Sequence, residues 1–133
     1  MEKVVDLETA RVEVEKWLDF KRVRESKREA NKETIDALVE AVSEGQLVVN
    51  EDHSLTHTLD VPTGGETALT SLTYKPRLTV QDTHSKMKGV KANDVDGRII
   101  ALVSALCGKP ASLVGKLDTS DYSISQNVAL FFL

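Results

Sequence analysis

The sequence predicts an α+β fold: an N-terminal charged helical pair, an antiparallel β-hairpin, and a C-terminal bundle of three or four short helices. Three observations carry that prediction. Apolar residues recur at three-and-four spacing through a highly charged stretch over 7–44, the period drops to two between 47 and 74, and caps, glycines and a proline then divide the rest into short helical pieces. With 133 residues the chain can bury one modest core and is too short for two independent ones. Residues 1–45, a charged helical arm or hairpin, and residues 46–133, the β-hairpin with its helical core, are therefore expected to form one structural unit.

The first helix is marked by Leu7, Val14, Trp17 and Leu18, with Asp6 as its cap. The second is marked by Ile35, Leu38, Val39 and Val42, with Gly45 as a left-handed stop. Between them 22–32 carries no strong apolar stripe and no Pro or Gly, so it is either a loop or a solvated stretch of one long helix; two helices joined near 25–28 is the preferred reading. Leu55, His57, Leu59 and Val61 alternate with polar residues, as do Leu72 and Tyr74, and Pro62, Thr63, Gly64, Gly65 and Glu66 between them turn the chain into a hairpin. A lone hairpin is marginal in water, so a helix must cover its apolar face.

Past Pro76, Thr79 or Gln81 opens a short helix stopped by Gly89. Asn93 or Asp94 caps a longer one through Ile99, Leu102, Val103 and Leu106 to Cys107, stopped by Gly108. Pro110 suits the first turn of a short helix reaching Lys116. Asp118 or Thr119 caps the last, with Tyr122, Val128, Leu130 and Phe131 facing inward.

Composition narrows the function classes. Apolar residues at 41% and charged residues at 29% favour a folded chain over a disordered one, and 5% aromatics makes the core mainly aliphatic. A net charge of −4, from 17 basic and 21 acidic side chains, repels nucleic acid and anionic membrane. The single cysteine, Cys107, has no internal partner, and neither a leader nor a run of about twenty apolar residues is present. The expectation is a cytoplasmic protein without membrane, nucleic acid or cofactor.

No chemical motif is complete. His53, His57 and His84 lack cysteines or carboxylates at ligand spacing and read as solvated or hydrogen-bonded histidines. Cys107 ends an apolar run and reads as a small buried hydrophobe rather than a nucleophile. Gly64 and Gly65 are followed by neither Lys-Ser nor Lys-Thr, so a turn is favoured over a phosphate loop. Asp94, Asp96, Asp118 and Asp121 lack a calcium-loop spacing, and helix-start capping accounts for them. The basic run Lys21, Arg22, Arg24, Lys27 and Arg28 is interleaved with Asp19, Glu25 and Glu29, the pattern of a solvated helix face with local ion pairs. Tyr74, Pro76, Arg77 and Leu78 form either a strand exit or a contact for a protein partner. Leu130, Phe131 and Phe132, in the run Ala129-Leu130-Phe131-Phe132-Leu133, must enter the chain's own core, meet a partner, or continue into a longer product.

Several motifs, in order, resemble one family. Lys75-Pro76-Arg77, Asp82, Leu106-Cys107-Gly108-Lys109-Pro110, Leu117-Asp118-Thr119-Ser120-Asp121-Tyr122 and Phe131-Phe132 are similar to the sequence pattern of bacteriophage tail assembly chaperones of the contractile-tail and Mu-like group. The resemblance spans 54–132 and leaves the charged N-terminal region unmapped. It implies a non-enzymatic protein that binds the tape measure protein and helps recruit tail tube subunits in the cytoplasm of an infected bacterium, and that is absent from the mature virion. It also implies a longer frameshifted product in many members, and consecutive Phe codons are a suitable slippery run. The protein-binding residues on this reading are Tyr74, Pro76, Arg77, Leu78, Leu130, Phe131 and Phe132, and the same surfaces are compatible with a homo-oligomer. The alternative is a structural adaptor or connector retained in the assembled particle.

Overall fold

The computed structural model describes residues 4–64 and 68–133. Helix α1 (Leu7–Phe20) opens as expected: the Asp6 carboxylate accepts from the Thr9 amide at 2.8 Å, and Ala10, Val14, Trp17 and Leu18 form its buried stripe. The chain then breaks earlier than the 25–28 junction expected from sequence. Residues 21–24 form the break, Arg22 adopting φ 56, and a six-residue helix α2 (Glu25–Ala30) occupies the predicted junction. Helix α3 (Lys32–Ser43) buries Ile35, Leu38, Val39 and Val42 and packs against α1. An exposed Arg11–Asp36 pair at 2.8 Å also joins these two helices.

The predicted hairpin is present and carries a third strand. Strand β1 (Leu47–Val49) pairs antiparallel with β2 (Leu55–Thr58), which pairs antiparallel with β3 (Ser71–Tyr74), in the order β1-β2-β3. The register sets Leu47, His57 and Leu72 in one row and Val49, Leu55 and Tyr74 in the next, all on the face turned to the helices. Val48, Thr58, Ser71 and Thr73 face outward and are exposed. Gly65 and Glu66, expected in the hairpin turn, lie outside the described residues.

Four helices follow. In α4 (Val80–Met87) the Thr79 hydroxyl accepts from the Asp82 amide and the Asp82 carboxylate accepts from the Thr79 amide, a reciprocal cap. Helix α5 (Val95–Cys107), capped by Asp94 and ended by Gly108 at φ 67, is the most buried element and touches β3, α4, α6 and α7. Helix α6 (Ala111–Val114) and helix α7 (Thr119–Ala129), the latter capped by Asp118, lead into a 3-10 turn, Leu130–Phe132. One aliphatic core joins Val14, Leu38, Leu55, Leu102 and Val128, so the charged N-terminal helices and the C-terminal bundle share a single interior.

Candidate functional site

Two stretches far apart in sequence meet in one groove. Arg77, Leu78 and Val80, from the β3 exit and the start of α4, face Phe131, Phe132 and Leu133 across a space of about 330 Å³, with Lys21 at its rim. Val80 is 85% exposed and Leu133 66%, so the groove has an apolar face open to solvent. Phe131 reaches inward and packs edge-on against Trp17, with ring centroids 5.9 Å apart. Phe132 stays half-buried, with the Lys21 ammonium 3.2 Å from its ring centroid. The Lys27 ammonium, 6.0 Å from the Phe131 ring, donates to the Leu133 carbonyl.

The rim is positively charged. The Arg77 guanidinium lies 4.4 Å from the centre of the Phe20 ring and donates to the Phe20 carbonyl at 3.3 Å, while His53 stacks on that ring at 4.1 Å. Burial, followed by the repulsion of Arg77 and Lys27, pushes the Lys21 pKa down to about 8. Of the residues expected to bind a partner, Arg77, Leu78, Phe131 and Phe132 come together here. Pro76 is half-buried at the strand exit and Leu130 half-buried at the start of the terminal turn. Lys21 and Val80 belong to the groove and were not anticipated, although Trp17 and Lys21, four residues apart at the end of one helix, carried a signal.

Tyr74 has a different role from the surface contact expected of it. It is fully buried, and its hydroxyl lies 2.7 Å from His57 Nδ1 and within hydrogen-bond distance of Ser125. His57 Nε2 faces the Asp121 carboxylate at 3.8 Å, and His57, Tyr74, Ser125 and Asp121 are all at 0% exposure. A neutral imidazole carries one N–H. Placed on Nε2, it lies on the side of Asp121 but beyond hydrogen-bond reach, so Nε2 has no hydrogen-bond partner, and Nδ1 is left to accept from Tyr74, whose oxygen accepts in turn from Ser125. Burial lowers the His57 pKa and raises that of Tyr74 to beyond its ordinary range. Asp121 is not the helix cap expected of it. Its two oxygens accept from the amides of Asp60 and Val61 at 2.9 and 3.0 Å, tying the end of β2 to α7. None of these four side chains lines an open cavity among those described, so this network positions the sheet against α7.

The remaining candidates settle simply. Asp94 and Asp118 cap helices, and His84 is exposed on α4. Cys107 is half-buried, with burial pushing its thiol pKa up, the opposite of nucleophile activation. Within the basic run, Arg28 pairs with Asp19 at 2.8 Å, whereas Lys21 and Lys27 turn to the C-terminal aromatics. Among the described residues, no group of three His, Cys, Asp or Glu side chains could hold a metal ion, and no helix is long and apolar enough to cross a membrane. Comparison with protein-family models, curated proteins and solved structures returned no match to this chain.

Proposed function

We propose that the chain is a non-catalytic protein-binding factor, a phage tail assembly chaperone that holds the tape measure protein and helps recruit tail tube subunits before the tail is complete. The observation that carries this reading is the groove itself. Two of the segments in the family-like pattern, Lys75-Pro76-Arg77 and Phe131-Phe132, lie about fifty residues apart yet contribute to the same open surface, beside an almost fully exposed valine. Grooves of this kind accept the apolar stripe of an amphipathic helix, the form that a long helical client offers. On this reading the protein works in the cytoplasm of the infected bacterium, makes and releases its contacts, and is left out of the finished particle.

Co-expression with a phage tape measure protein tests the proposal. Wild-type chain keeps the client soluble, and Val80→Asp removes most of that effect. The substitution places an acidic residue in the first turn of α4, where the helix dipole favours it, so the thermal midpoint holds within about 2 °C. A variant that rescues as well as wild type overturns the groove as the docking surface. Recovery of the chain from purified virions by mass spectrometry overturns the chaperone role in favour of a connector.

A further inference from the structure

We propose that the groove selects a partner segment in which a carboxylate sits beside a large apolar side chain, the carboxylate bound between Lys21 and Arg77 and the apolar group laid on Val80 and Phe132. This rests on the protein-docking reading above and adds the chemistry of what docks. Three cations of the N-terminal helices are answered by carboxylates within the chain, Arg11 by Asp36 and Arg28 by Asp19 at 2.8 Å, and Lys32 by Glu29 at 3.2 Å. Lys21 and Arg77 have no Asp or Glu side chain within ion-pair reach among the described residues. They are nevertheless held at one groove, each against an aromatic ring, in a protein whose net charge is −4.

That arrangement is costly without a ligand. The cause of the depressed Lys21 pKa is burial and then two neighbouring cations, with no anion in opposition. An arriving carboxylate opposes the like-charge repulsion and offsets the cost of burial with charge-assisted hydrogen bonds to an ammonium and a planar guanidinium. Apolar surface immediately beside the charges explains why a protein segment fits better than a nucleic acid, whose polyanionic backbone would also meet the negative field of the whole chain. The pairing also supplies selectivity, because a basic amphipathic helix would add a further cation to a rim that already holds Lys21, Arg77 and Lys27.

Three synthetic amphipathic helical peptides test this, with Trp17, the single tryptophan, as the fluorescence reporter beneath the groove. The first carries leucines flanked by glutamates, the second replaces the glutamates with lysines, and the third replaces the leucines with alanines. The first is expected to bind at least about tenfold more tightly than either of the others, and to weaken as salt is raised. Lys21→Glu combined with Arg77→Glu should transfer the preference to the lysine peptide. Lys21→Gln alone should weaken the glutamate peptide while the thermal midpoint moves by no more than a few degrees, the effect of losing one cation-π contact. Equal affinity for the glutamate and lysine peptides overturns the charge selection while leaving a docking groove in place. Equal affinity for the leucine and alanine peptides overturns the apolar half. Binding of none of them overturns both this inference and the groove as a docking site.

Discussion

His57 sits between a tyrosine hydroxyl and a carboxylate at 0% exposure, which makes its titration a measure of stability. Burial holds its pKa below the ordinary 6.5, with Asp121 and Asp60 pulling more weakly the other way. In the unfolded chain the imidazole takes up a proton as pH falls through about 6.5, while in the folded protein it stays neutral to lower pH. Within that interval the unfolded state binds more protons. Stability is therefore fully present above the interval and is lost as pH drops through it, by at most about 1.4 kcal/mol per pH unit. Urea unfolding between pH 7.5 and about 5 should show this decline in the wild type and a flatter profile in His57→Gln. The lowered carboxyl pKa values of Asp6, Asp52, Asp82 and Asp118 come from exposed caps and turns that act at lower pH in both proteins. Identical slopes in the two proteins would remove His57 as the cause. The period-two pattern placed His57 on the same face as Leu55 and Leu59. It gave no hint of Asp121, whose backbone partners lie some sixty residues away.

The helix ends that were legible in this chain are those with a chemical mark, and they differ in how much their marks contribute. Gly108 ends α5 at φ 67, and a Cβ added there meets nothing within 4 Å, so Gly108→Ala isolates the cost of left-handed backbone. The expected loss is about 1 to 2 kcal/mol by urea unfolding. Gly45 combines φ 83 with a Cβ position 2.9 Å from a Val4 methyl, so Gly45→Ala should cost more than Gly108→Ala. The reverse order would mean that the Val4 side chain yields freely. Elements without marks were the ones misread. The break after α1 falls on Arg22, a left-handed residue that is not glycine, so a sequence reading that relies on Gly and Pro passes over it. Strand β1 has three residues, too few for a period to declare itself, and it exists because Gln46 and Asn50 extend its ladder to Thr58 and Ser54. The groove was legible in its parts, Arg77 with Leu78 and Phe131 with Phe132. Their meeting was not, because it depends on how α7 crosses α3 and α5.

Across the whole molecule, the first helix and the final turn close on each other, and this gives the two adjacent phenylalanines separate tasks. Phe131 fills the space beside Trp17 in the shared core, while Phe132 lies nearer the surface under the Lys21 ammonium. Truncating a buried phenylalanine removes its transfer free energy and leaves a cavity, so Phe131→Ala should cost about 3 to 5 kcal/mol. In a domain whose total stability is on the order of 5 to 15 kcal/mol, that lowers the thermal midpoint by about 10 °C or more. Phe132→Ser loses the burial of a half-buried ring, its tilted packing on Trp17 at 6.1 Å between centroids and the Lys21 cation-π contact, and its midpoint should fall by a few degrees, roughly 1 to 2 kcal/mol. The order reverses for client rescue measured on the folded fraction, where Phe132→Ser is the more damaging because its ring forms part of the docking face. Calorimetry on both variants, paired with co-expression at a temperature where both are folded, separates the two effects. Equal midpoints would place both rings in one environment, and undiminished rescue by Phe132→Ser would take that ring out of the docking face and leave Leu78, Val80 and Leu133 to supply its apolar contact.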